Sequence, residues 1–155
     1  MGTGDFLSLL PRVRASPAAL QTGLQKGVME LIRKQDIETF SNSAVRSRQL
    51  IFPENSRSKR ITVTRVTLPP GAENPPHRHA TSEQVWVALR GSGTLLLDND
   101  VTAAFAAGDV VRFEDNEFHG FKNTGDLEFE YISITSPPLN FRSAYEAMWS
   151  TEIAP

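Results

Sequence analysis

The sequence predicts an all-β fold, an antiparallel sandwich or barrel, with an N-terminal extension before it and a short helix after it. Two observations carry this reading. From Leu50 onward, short runs rich in Val, Ile, Thr and Phe follow one another, with turn-forming clusters between them. No helix-length amphipathic segments alternate with these runs, which argues against a parallel sheet.

Residues 1–49 are expected to be an extension, partly helical or disordered. Met1 to Ala15 has no clear period. Phe6–Leu10 is too short for the apolar stretch of a secretory signal, and Phe6 occupies the position where a myristoylation pattern needs Ser or Thr. Residues 17–33 suit a helix, with Ser16 as N-cap, Pro17 in the first turn, and Leu20, Leu24, Val28 and Leu31 on one face. Gly23 and Gly27 oppose it, each costing about 1 kcal/mol inside a helix. Met29, followed by Glu30-Leu31-Ile32-Arg33, offers an alternative start, which the intact mass of the native protein would test.

The barrel is expected over residues 50–136. Its strand-prone runs are Ile61–Leu68, Val85–Leu89, Thr94–Leu97, Val101–Ala106, Val110–Phe113, Gly120–Lys122 and Leu127–Ile134. The turns between them centre on Pro69-Pro70-Gly71, Gly91-Ser92-Gly93, Asp98-Asn99-Asp100, Ala107-Gly108-Asp109 and Thr124-Gly125-Asp126. Pro137 and Pro138 end the sheet. Residues 137–155 form the tail, with a helix expected from Ser143 to Trp149, Ser143 and Glu146 as a capping box, and Tyr145, Met148 and Trp149 on its apolar side.

Composition narrows the function. The 155 residues are enough for one domain of ordinary size, and a 39 % apolar content supports a packed core. The absence of cysteine removes disulfides, thiolate metal sites and a Cys nucleophile, and points to the cytoplasm. No apolar run is long enough for a spanning helix. A net charge of −2 gives no general attraction to nucleic acid. The charge is uneven: residues 1–60 carry ten Lys and Arg against five Asp and Glu, and residues 61–155 carry six against thirteen. The halves either contact one another, within a chain or across a dimer, or are simply solvated.

The chemistry concentrates on the chain's three histidines, His77, His79 and His119. On a strand, His77 and His79 fall on one face, roughly 6.5–7 Å apart, and can converge on one ion. His119 stands at the entrance to another strand-prone run. Imidazole suits Zn, Fe, Ni or Cu.

Gly71, His77, His79, Glu83, Gln84 and Gly91 resemble the first cupin motif, G-x5-H-x-H-x3,4-E-x6-G. Gly108, Glu114, Asn116, His119 and Asn123 resemble the second, G-x5-P-x-G-x2-H-x3-N. The resemblance covers about residues 50–135 and implies a small single-domain cupin: a double-stranded β-helix, or jelly roll, of the RmlC-like kind. It implies one divalent ion, Zn, Fe, Ni or Mn, held by His77, His79, His119 and a fourth ligand. Three positions depart from the pattern. Glu114 replaces Pro. Asn116 replaces Gly, a mild change where the backbone needs a positive φ. Gln84 stands where spacing to Gly91 places the usual Glu, while Glu83 is one residue earlier. Neighbours on a strand face opposite ways, so one of the two reaches the ion. Spacing and continuity with Val85–Leu89 favour Gln84; a one-residue slip would present Glu83. Some cupin enzymes of uronate breakdown are similar in having Gln there.

Around this site, Trp86 and Arg90 follow Gln84 on the same face, and Phe118 and Phe121 flank His119. These four are the expected pocket, although an ordinary core place is the first reading for the aromatics. Arg65, Arg78 and Arg90 are candidates to pair with a substrate carboxylate. Glu83, Glu130 and Tyr131 are the candidate acid/base groups. Asn123 is expected to secure a turn. Three neutral imidazoles and a neutral amide would leave the ion's charge uncompensated, favouring an anionic ligand and Lewis-acid chemistry. The implied function is therefore a metal-dependent isomerase or lyase acting on a sugar acid or carboxylate. Alternatives are an iron-dependent dioxygenase, a non-catalytic binding or sensing module, and a structural cupin. Resemblance also implies a homodimer.

Overall fold

A computed structural model describes residues 29–146 and the backbone of residues 152–153. Two sheets face each other. The six-stranded sheet has the order β1-β2-β3-β10-β5-β8, and the five-stranded sheet β11-β4-β9-β6-β7. In chain order the strands are β1 (Thr39–Ser41), β2 (Arg46–Ile51), β3 (Thr62–Leu68), β4 (Glu73–His79), β5 (Glu83–Arg90), β6 (Ser92–Leu97), β7 (Thr102–Ala106), β8 (Val110–Phe113), β9 (His119–Lys122), β10 (Phe129–Ser136) and β11 (Glu152–Ile153). Every pairing is antiparallel except the short parallel contact of β11 with β4.

Alternation builds the core. On β3, Thr62, Thr64, Val66 and Leu68 point inward; on β10, Phe129, Tyr131, Ser133 and Thr135 do so. The inner faces meet in a cluster that includes Leu68, Trp86, Leu95, Phe105, Phe113, Phe121 and Phe129. Phe121 and Phe129 stack with ring centroids 4.1 Å apart, and each buried ring contributes roughly 2–3 kcal/mol of burial energy. Gly93 lies where an added Cβ would run into the Phe121 ring and the Lys122 carbonyl, so only glycine lets β6 and β9 close together. Asn116 has φ 63°, the positive value that its replacement of a motif glycine requires.

The runs expected between Ile61 and Ile134 all appear as strands, with ends shifted by up to two residues. Four further strands, β1, β2, β4 and the short β11, do not follow from the runs. β1 and β2 lie in residues 39–51, mostly within the expected extension, and β2 pairs with β3 along its length. They belong to the six-stranded sheet because Phe40, Val45, Ser47 and Gln49 alternate inward. β4 contains Pro75 and Pro76, which mask it as a strand; its ladder with β9 is irregular between Asn74 and His77. That irregularity has a purpose in placing side chains. It shifts the alternation by one residue, so that Asn74, His77 and His79 all face inward.

The C-terminal helix α1 spans Arg142–Glu146, and the remainder of the expected helix, with Met148 and Trp149, lies outside the described residues. Ser143 is inside the first turn and not its cap: Asn140 Oδ1 accepts the Arg142 N–H at 3.0 Å. The expected helix over residues 17–33 also falls largely outside the described residues, and its described end, 29–33, is not helical, with Leu31 exposed.

Candidate metal centre

The five-stranded sheet supplies the three histidines. His77 on β4 sits directly opposite His119 on β9, and His79 follows on the same inward face. The ring centroids are 4.7–5.2 Å apart, and one nitrogen from each ring lies within 4.8 Å of the others. All three are buried. The opposite sheet supplies Gln84, which β5 turns inward together with Trp86 and Ala88.

The hydrogen bonds fix which atoms face the centre. His77 Nδ1–H donates to the Pro75 carbonyl at 2.8 Å, and His119 Nδ1–H donates to the Glu117 carbonyl at 2.8 Å. A carbonyl only accepts, so a neutral ring meets it with the proton on Nδ1 and keeps a lone pair on Nε2; for His119, whose Nε2 faces a second acceptor in Gln84 Oε1 at 3.0 Å, we assign the proton to the shorter contact with Glu117. Backbone carbonyls are common outer partners of metal-binding imidazoles. Gln84 is fixed as firmly. The Trp86 indole N–H, a donor only, gives its proton to Gln84 Oε1 at 2.7 Å, while Gln84 Nε2 donates to Thr135 Oγ1 at 2.9 Å.

It follows that His119 Nε2 and Gln84 Oε1, 3.0 Å apart, are two acceptors facing one another with no proton between them. Protonating His119 would supply one, but burial, and then the proximity of His77 and His79, hold its pKa down at about 2. Burial first and His77 second bring His79 to about 3, and burial lowers His77 as well. Neither ring nitrogen of His79 has a hydrogen-bond partner, although both are buried. Neutral, desolvated acceptors converging in this way fit a divalent cation, whose charge replaces the missing proton.

The other residues singled out in the sequence fall elsewhere. Glu83 points outward and is ion-paired with Arg112 at 2.8 Å, so strand parity removes it from the site. Glu130 and Arg65 pair with each other on the outer face, at 2.8 Å. Arg90 is exposed at the end of β5, after the alternation lapses. Phe121 is a core ring against Phe105 and Phe129. Phe118 lies under the Arg78 guanidinium, 4.9 Å from it, which places both on the face away from the histidines. Trp86 is fully buried; its ring lies tilted against Tyr131, and it acts on the site through its bond to Gln84. Phe113 lies flat against His119, with centroids 4.3 Å apart. Asn123 bridges the carbonyls of Leu68 and Leu127 and accepts from Gly125 N–H, holding a turn.

A cavity of about 30 Å³ adjoins His77 and Gln84. Ser47, Thr64, Asn74, Tyr131, Ser133 and Tyr145 give it a polar lining. Tyr131 is the one acid/base candidate it includes, and burial pushes the phenol well above its ordinary pKa. Most of this lining escaped the sequence reading, because Ser47 lay in the presumed extension and Asn74 beside the two prolines. No helix among the described residues is long and apolar enough to cross a membrane.

Comparison with known proteins agrees with this architecture. Residues 64–135 match the family model described as Cupin domain. The oxalate-binding protein of Thermotoga maritima is 27 % identical over 118 residues, covering 72 % of this chain and 97 % of that protein. Auxin-binding protein 1 of Arabidopsis thaliana is 33 % identical over 88 residues, but these are only 44 % of its length. The crystal structure of a predicted oxalate decarboxylase from Thermotoga maritima superimposes with a TM-score of 0.58 at 26 % identity, over 71 % of this chain and all of that one.

Proposed function

We propose that the chain, whose residues 64–135 match the Cupin domain family model, is a metal-dependent cupin that takes a small carboxylate at His77, His79, Gln84 and His119. The observation that carries the proposal is the 3.0 Å approach of His119 Nε2 to Gln84 Oε1, two lone-pair atoms that a cation would reconcile. When bound, a divalent ion would supply Lewis-acid polarisation of a ligand oxygen.

The protein's own groups do the rest. Pro75 and Glu117 hold two imidazoles in one tautomer, and Trp86 with Thr135 holds the amide in one orientation. Four neutral donors leave the cation's charge uncompensated, which favours an anionic ligand. The small cavity supports a compact carboxylate over a sugar acid. That the Thermotoga maritima relative is named for binding oxalate supports the same class. Tyr131 stays neutral, so it presents an O–H to the ligand and does not serve as a base.

A second reading, a binding protein without turnover, draws support from the cavity lining, which contains no Asp, Glu, Lys or Arg. Incubating metal-loaded protein with a panel of small carboxylates separates the two: product formation supports an enzyme, and stabilisation without product supports the binder. We extend the proposal to a cytoplasmic homodimer, which light scattering and cell fractionation test directly.

Gln84→Glu tests the site. A carboxylate would compensate one unit of charge, so metal retention should tighten by about ten- to a hundredfold, after desolvation takes back much of the Coulomb gain. Anionic ligands should weaken in parallel. If Gln84→Glu leaves metal content unchanged while Glu83→Ala abolishes it, the ligand assignment is wrong.

A further inference from the structure

Resting on the proposed metal site, we propose that the cavity selects a small 2-hydroxycarboxylate, of glycolate size, over a plain or a fully ionised dicarboxylate. Two buried polar atoms beside the site have no partners. Asn74 Oδ1 and Ser133 Oγ make no hydrogen bond, and their residues are 3 % and 4 % exposed. Both residues line the cavity beside His77 and Gln84.

The two atoms ask for different things. Of the Asn74 amide, the oxygen is the end left without a partner. Its Oδ1 is therefore an acceptor and needs a proton from the ligand. The Ser133 hydroxyl can both donate and accept. A buried carbonyl oxygen without a donor is destabilising, so a ligand that brings an O–H recovers what one without it forfeits.

Charge supplies the second requirement. The lining offers no cationic side chain, so an anionic group on the ligand has to be met at the metal site. The ligand thus needs a carboxylate at one end and a hydroxyl close beside it. An ionised dicarboxylate such as oxalate has no proton to give and would set an anionic oxygen against Asn74 Oδ1. Acetate lacks the hydroxyl altogether. The volume of about 30 Å³ keeps the ligand to a few heavy atoms.

Isothermal titration of the zinc- or cobalt-loaded full-length protein with glycolate, acetate and oxalate at neutral pH tests this, with metal content measured on the same samples. Glycolate should bind at least about tenfold more tightly than either of the others. Asn74→Leu should bring glycolate and acetate to near equality, and Ser133→Ala should narrow the difference with a milder change to the core. Acetate or oxalate binding as well as glycolate would overturn the proposal, since a water would then suffice for Asn74. So would a glycolate preference that survives in folded Asn74→Leu. Retained metal with no carboxylate bound also overturns it while leaving the metal site standing. Failure to retain metal overturns the proposed function itself.

Discussion

Trp86→Phe separates a core role for the indole from a positioning role. In the native chain the indole N–H occupies Gln84 Oε1 at 2.7 Å, and the reverse orientation of the amide would set an N–H against an N–H. With Phe in place the amide can rotate. Gln84 Nε2 would then donate to the His119 Nε2 lone pair across the existing 3.0 Å, and Gln84 Oε1 would accept from the Thr135 hydroxyl. The rotated amide gains about 1 kcal/mol from one neutral hydrogen bond and loses the opposition of two lone pairs, so restoring it for metal costs about 1.5–3 kcal/mol. Zinc or cobalt affinity should fall about ten- to a hundredfold, read by titration calorimetry. The smaller ring should separately cost about 1–2 kcal/mol of stability, read by urea unfolding of the metal-free protein. A variant that shows the stability loss and unchanged metal affinity would mean that Trp86 is core filling and nothing more.

Two other outcomes follow from the same structure. His79 and His119 titrate at about 3 and about 2 when folded against an ordinary 6.5, so the unfolded metal-free chain takes up protons first, and stability is full above pH 6.5 and declines below it. The slope should approach about 1.4 kcal/mol per pH unit per histidine; Glu54, lowered from 4.5 by its bonds to Arg142 and Asn140, adds to the decline only further into acid. A urea midpoint that is flat between neutrality and pH 5 would contradict this. Asn123→Ala removes the donors held by the Leu68 and Leu127 carbonyls and should cost about 2–4 kcal/mol in the same unfolding assay, while a loss under 1 kcal/mol would mean the turn holds itself.

Much of the barrel was legible because its strands obey a local rule. β3, β5 and β10 alternate cleanly, and the turns beside them carry glycine or Asx residues at fixed places. β4 was hidden by Pro75 and Pro76, whose bulge is a tertiary matter: it exists to bring Asn74 and His77 to one face. β1 and β2 were hidden because polar Ser47 and Gln49 point inward, where a sequence pattern expects apolar groups. The histidines could be found by spacing and resemblance, and parity could favour Gln84 over Glu83. The tautomers and the amide orientation could not, since they depend on carbonyls and an indole fixed only by the fold. The arginines misled for a related reason: Arg65 meets its partner Glu130 across a strand pair, on the outer face.

On the proposed function, His77, His79 and His119 present unprotonated nitrogens, together with Gln84 Oε1, to a single cation. Nitrogen-15 spectroscopy of the histidine rings tests it most directly, in metal-free protein and with one equivalent of zinc. His77 and His119 should carry their protons on Nδ1, and signals of all three rings should move together and saturate at one equivalent. A proton on His119 Nε2, or rings that respond separately or not at all, would contradict this arrangement.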